Sequence, residues 1–134
     1  MGFVNYFKFS GRATRAEFWW WILFGMIVSW IPLVNILSIF LIIPNLSITS
    51  RRLHDIDKTG WWQLWGFLLC VGLFILFFAS IAMAVMATLS LGLLIMGLCI
   101  ILWILMIVIW IRWLARQGES GTNRYGSDPR TTLR

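Results

Sequence analysis

The chain has 134 residues, of which 60% are hydrophobic and only 12% charged, too little polar surface to cover a water-soluble globule. That balance excludes a soluble enzyme or soluble binding domain and predicts an integral membrane protein, a single domain over residues 1–134. Eleven Lys and Arg against five Asp and Glu give a net charge of +6, which in a membrane chain reads as topology rather than as an invitation to nucleic acid.

Charge is confined to three places: Lys8 to Glu17, Arg51 to Lys58, and Arg112 to Arg134. The first opens with "FKFSGR", Phe7 to Arg12, alternating aromatic and basic residues in the manner of a short interfacial arm. Thr14 to Glu17 then matches a capping box, with each side chain satisfying a free backbone donor at a helix start. Trp19, Trp20 and Trp21 cover most of a helix circumference and read as an interfacial girdle. No small-residue cleavage site follows the first apolar run, so span one is expected to be a signal anchor.

Phe18 to Thr49 is an uncharged run of 32 residues, about 48 Å as continuous helix against a bilayer core of about 30 Å. With Arg15 and Arg51 snorkelling at its ends it accommodates two short spans around a turn at Pro32 to Asn35. Thr59 to Ile111, 53 residues or about 80 Å of helix, holds two more, with a break near Ala84 to Ser90. The predicted fold is an all-α, polytopic helical bundle of four transmembrane helices in two hairpins, over 15–31, 34–52, 60–83 and 89–111. Four spans put every Lys and Arg on one side, which the positive-inside rule makes cytoplasmic, together with both termini. A cytoplasmic cap is then expected from residues 1–14, 51–59 and 112–134.

Within the spans, Cys70 and Cys99 have no His, Asp or second Cys at metal-ligand spacing and read as packing residues. Ser80 and Ala84 form a small-xxx-small pair, with Ser90, Gly92 and Gly97 as further places for helices to approach closely. No metal site, cofactor or catalytic residue is assigned.

The polar island between the long apolar runs, "RRLHDIDKTGWW" from Arg51 to Trp62, is the most site-like stretch. Arg51 and Arg52 suit a helix carboxyl end and anionic headgroups alike. One further helical turn would bring Arg51 to His54 and Asp55, and Asp55 is able to pair with either Arg. Asp57 or Thr59 is positioned to cap span three. The chain's one His, set between two Arg and two Asp at the membrane edge, is more than a topology signal requires. Beyond the last apolar run, "GESGTNRYGSDP" from Gly118 to Pro129 has turn-forming residues in the order of a shaped loop. That loop is expected to dock on the island, with Asp128 as the preferred partner of Arg52.

Three blocks, "FSGRATRAEFWWW" (Phe9 to Trp21), "RRLHDIDKTGWW" and "GESGTNRYGSDP", occur in the order and at the apolar boundaries typical of one family. Through them the chain resembles the bacterial inner-membrane family known as domain of unknown function 805, the YhaH/YhaI-like proteins. The family pattern falls on Gly11, Arg12, Arg15, Glu17, Phe18 and Trp19, then on Arg51 to Asp55 and Gly60 to Trp62, then on Gly121, Asn123, Tyr125, Gly126, Asp128 and Pro129. Glu119-Ser120 and Ser127 depart from it, standing where Thr-Pro and Pro are often found. The resemblance implies a small multi-pass protein of the bacterial inner (plasma) membrane whose biochemical role is not established.

Two functional classes follow. One is a non-catalytic membrane module whose basic cap binds anionic lipid headgroups or a protein partner, or scaffolds a homo-oligomer. The other is a transporter or channel component, or a membrane enzyme acting on an anionic substrate through a His-Asp-Arg cluster. The second lacks a Gly-rich phosphate loop, a metal-ligand set, an activated nucleophile and any mid-span charge. The candidate binding residues are Arg12, Arg15, Glu17, Arg51, Arg52, His54, Asp55, Asn123, Tyr125 and Asp128.

Overall fold

The computed structural model describes residues 7–31 and 39–131. Their helices are α1 (Arg15–Ser29), α2 (Ile42–Asp55), α3 (Trp62–Met86) and α4 (Leu89–Ala115). β pairing among the described residues is limited to one isolated bridge, Asn123 with Gly126. Two helices, α3 and α4, are long and apolar enough to cross a membrane. α1 and α2, with 15 and 14 residues, measure about 22 and 21 Å, short of a bilayer core. The expected turn at Pro32 to Asn35 lies outside the described residues.

The chain forms two compact units. The first runs up to Gln63 and resumes at Trp113. In it α1 and α2 pack on a core of Ala13, Phe18, Trp21, Ile48, Leu53, Ile56 and Leu114. Thr14 caps α1, its Oγ1 accepting the Glu17 N–H at 3.1 Å, which is one half of the expected capping box. The other half is replaced: the Glu17 carboxylate turns to Arg51. Pro44 sits in the first turn of α2, where the N–H it lacks would have had no helical partner. The α1 and α2 helices are tied by Trp21 Nε1 donating to Asn45 Oδ1 at 2.6 Å. Ser47 Oγ donates to the Lys8 carbonyl at 2.6 Å, and the Ala13 N–H to the Arg51 carbonyl at 3.1 Å, so the arm before α1 lies along α2. Arg51 was expected to snorkel outward; it is 4% exposed and held inside, its guanidinium paired with the Glu17 carboxylate at 3.1 Å.

The second unit, Leu64 to Arg112, contains most of α3 and α4. The break falls at Ala87 and Thr88, whose N–H groups both reach back to the Met83 carbonyl. A Cβ at Gly92 would lie 2.5 Å from the Ala84 Cβ, so only glycine lets the two helices meet this closely there. Trp103 packs against Phe74 and Phe77, and Cys99 and Ser80 are buried, the Ser80 hydroxyl satisfied by the Phe77 carbonyl. Cys70 differs from expectation: it is exposed on the apolar surface, not packed. Most of the remaining side chains are large, apolar and exposed, Phe67, Ile75, Leu94 and Ile104 among them, as lipid contact requires.

Candidate functional site

Asp55, the last residue of α2, is the centre of a buried charge cluster in the first unit. Arg12 Nε donates to its Oδ1 at 2.9 Å, and Arg52 Nη1, one helical turn earlier, to its Oδ2. Two guanidinium groups on one carboxylate leave an excess positive charge in a buried place, and backbone carbonyls compensate it. Arg12 Nη1 donates to the carbonyls of Gly121 at 2.6 Å and Gly126 at 3.4 Å, and Nη2 to that of Glu119. Arg52 Nε donates to the Leu114 carbonyl at 2.9 Å and Nη2 to that of Arg116, the open carbonyls at the end of α4. The planar fork of arginine suits this, since the two guanidinium groups between them reach both Asp55 oxygens and five backbone carbonyls.

The carboxyl-terminal loop completes the cluster. The Glu119 N–H donates to the Asp55 carbonyl at 2.9 Å and Asn123 Nδ2 to the His54 carbonyl at 2.9 Å, so the loop closes the end of α2. Asn123 Oδ1 accepts the Tyr125 N–H at 3.0 Å, and Asn123 and Gly126 exchange backbone hydrogen bonds, a tight turn presenting Tyr125. Gly121 and Gly126 take φ of +81° and +131°, backbone that side chains resist, and this turns their carbonyls toward Arg12. Gly118 is required for another reason. A Cβ there would lie 1.9 Å from Asp55 Oδ2.

His54 stacks flat on Tyr125, ring centroids 3.8 Å apart and planes within 3°. Its Nδ1 lies 3.1 Å from the Gly11 carbonyl, which only accepts, so Nδ1 carries the proton and donates. Burial pushes the His54 pKa below its ordinary value; the Gly11 carbonyl opposes the shift and the charge of Arg124 adds to it.

The sequence-selected residues therefore separate by role. Arg12, Arg52, His54, Asp55, Asn123 and Tyr125 come together, and Arg51 and Glu17 pair beside them at 3.1 Å. The Arg51 Nε is buried and has no hydrogen-bond partner among the described residues. Arg15 stands apart, exposed at the start of α1 with no ion pair among the described residues. The expected Asp128–Arg52 pair is not formed. Asp128 accepts from Arg130 at Nε, Nη2 and the backbone N–H, and this holds its carboxyl well below the usual range. Arg52 faces Asp55 instead, since a partner three residues away costs little chain ordering.

Sequence reading missed Arg130, which also donates to the Glu119 carbonyl at 2.9 Å; its only signal was the Asp-Pro-Arg spacing of a turn. It missed Lys58, whose Nζ lies 4.1 Å from the Trp113 ring and 5.5 Å from that of Trp62. The Arg124–Asp57 ion pair at 2.8 Å was missed too, an exposed contact for which spacing gave no sign.

A family model described as protein of unknown function (DUF805) matches residues 6–35 and 28–127. Inner membrane protein YhaI of Escherichia coli K12 is 28% identical over 141 residues, covering 94% of this chain and 89% of that protein. Inner membrane protein YhaH of the same strain is 27% identical over 143 residues, covering 94% and 90%. No solved structure matches. With the family model spanning the arm before α1, the Asp55 cluster and nearly all of the loop that closes it, the chain belongs to the DUF805 family of proteins of unknown function.

Proposed function

We propose that this protein is a non-catalytic inner-membrane module whose cap, on the cytoplasmic side with both termini, binds anionic lipid headgroups. The observation that carries the reading is a division of labour among the cations. Arg12 and Arg52 are buried and engaged with internal acceptors, whereas Lys8, Arg15 and Arg116 are exposed and have no ion pair among the described residues. The inward charge of Arg12 and Arg52 holds the cap together; that of Lys8, Arg15 and Arg116 is left for anions, unlike exposed Arg124 and Arg130, which pair with Asp57 and Asp128. Exposed Phe7, Phe9, Trp20 and Trp61 in the same unit suit the headgroup zone.

The four-span arrangement in two hairpins belongs to this proposal. It rests on the confinement of Lys and Arg to the start of α1 and the segment before it, the end of α2 and the segment after it, and the end of α4 and beyond. A shallow α1–α2 hairpin entering and leaving from the cytoplasmic side would keep the same sidedness, since either geometry returns the chain to the face it left.

No specific observation favours a transporter, channel component or enzyme using the His-Asp-Arg cluster. Both Asp55 oxygens are engaged by arginine, and Tyr125 covers one face of His54. Native mass spectrometry of the detergent-purified protein, equilibrated with equal phosphatidylglycerol and phosphatidylcholine, tests the reading. Preferential retention of phosphatidylglycerol is expected. Equal retention would remove lipid as the ligand and leave a protein partner or a second copy for the basic face.

A further inference from the structure

The buried arginines of the first unit are not equally satisfied. Arg12 and Arg52 each use all three guanidinium nitrogens, on Asp55 and on backbone carbonyls. Arg51 uses one, Nη1, on Glu17 Oε1 at 3.1 Å. Its guanidinium forms no other hydrogen bond among the described residues, and its Nε is buried. A buried charged donor left unpaired is costly, whereas the exposed side chains of Arg15, Arg112 and Arg116 have water to bond. Nε and Nη2 share one edge of a guanidinium, the edge by which arginine grips two oxygens of a carboxylate or phosphate at once.

Glu17 is the movable half of the pair, its side chain 20% exposed against 5% for that of Arg51. It also has a second berth. Glu17 is the third residue of α1, the place from which a capping box reaches back to the N–H of the cap residue, and the Thr14 N–H has no partner among the described residues. A carboxylate moved there would still lie at the positive end of α1. Arg51 stays behind, since its carbonyl is held by the Ala13 N–H at 3.1 Å. Trp20, one turn beyond Glu17 and exposed, suits this corner to headgroup depth.

We infer that Arg51 binds the phosphate of an anionic ligand through its Nε and Nη2 edge, and that Glu17 gates this site by moving from Arg51 to the Thr14 N–H. The inference deepens the headgroup reading above and rests on it for the source of the phosphate. With Nε shut off from solvent, an anion gains it only as a neighbour moves, and Glu17 is the neighbour with another place to go. The exchange leaves no charge unmatched: the ligand takes over the guanidinium, and the carboxylate completes the cap of α1.

The test titrates the detergent-purified full chain by calorimetry, with short-chain phosphatidylglycerol in one arm and inorganic phosphate in the other. Glu17→Gln removes the competing charge yet keeps a side chain able to cap Thr14, and is expected to bind the lipid about thirtyfold more tightly. Arg51→Lys keeps the positive charge but loses the two-donor edge, and is expected to bind about thirtyfold more weakly. Glu119→Gln removes an exposed carboxylate that has no ion pair among the described residues. It is the charge-matched control, expected within about fivefold of the unaltered protein. Circular dichroism checks the fold of each variant, and a gain of affinity in Glu17→Gln cannot come from a damaged fold. Glu17→Gln binding no more tightly than Glu119→Gln would overturn the gate. Arg51→Lys binding like the unaltered protein would overturn the site, leaving Nε to water. If phosphatidylglycerol is preferred to phosphatidylcholine whatever stands at positions 17 and 51, the site falls and the general headgroup reading stands. If only inorganic phosphate follows the two variants, and phosphatidylglycerol is not preferred, the site stands with a free anion and the headgroup reading falls.

Discussion

Asp55 and Asp57 are two residues apart, and their surroundings give them different weights. Asp55 is 4% exposed and shared by two arginines, so Asp55→Ala would strand two buried guanidinium groups. A loss of about 3 to 5 kcal/mol is expected, read as a fall in melting temperature in detergent. Asp57→Ala removes an exposed pair with Arg124 and should cost about 0 to 1 kcal/mol. Comparable melting temperatures would mean that the Asp55 cluster does not stabilise the cap. His54 adds a pH dependence. Its folded pKa lies below the unfolded value, so the unfolded chain takes up a proton first as pH falls. Its contribution is fully present above about pH 6.5 and is lost as pH falls from there through the folded pKa. His54→Phe, which keeps a ring against Tyr125 but cannot titrate, should flatten the melting curve's pH dependence between about pH 7.5 and about pH 5.5. An unchanged slope would assign that dependence to another group. At this scale the importance of Asp55 was legible from its i+3 and i+4 neighbours. Arg12 was not legible as its partner, because no periodicity connects residues 43 apart.

Among the elements, the carboxyl-terminal loop depends on small residues where it crosses Asp55. Gly118→Ala would place a methyl group 1.9 Å from Asp55 Oδ2 and force the loop or the carboxylate to move, an overpacking cost of about 1 to 3 kcal/mol. Ser120→Ala, one turn further in the exposed part of the loop, should be neutral by the same thermal assay. Equal effects would show the loop is not seated as described. The turn chemistry of Asn123 and Gly126 announced a shaped loop, and α3 and α4 were legible because two spans and a break fit 53 uncharged residues. The first apolar run was harder to divide. Its helices are short, and α2 carries its charged end inward, where burial was fixed by Glu17 and Arg12 from elsewhere in the chain. Asp128 went to Arg130 for a reason sequence does contain: a partner two residues away closes almost no loop.

For the whole molecule, sidedness is the first matter to test. Cysteines placed singly at Val34 and at Thr88, with Cys70 and Cys99 replaced, are expected to react with an impermeant maleimide from the periplasmic side if four spans cross. Labelling of Thr88→Cys alone would support two crossing helices with a shallow α1–α2 hairpin, and labelling of neither before permeabilisation would reverse the orientation. The central claim is that the amino-terminal arm, the end of α2 and the carboxyl-terminal loop form one unit closed through Arg12 and Asp55. Hydrogen exchange at the amides of Glu119, Asn123, Tyr125 and Gly126 tests it most directly, comparing the unaltered chain with Arg12→Ala in the same detergent. These amides should be protected in the unaltered protein and exchange markedly faster in the variant, while those of α3 keep their protection. Exchange in the unaltered loop at the rate of an unstructured peptide, or protection untouched by the loss of Arg12, would contradict the account.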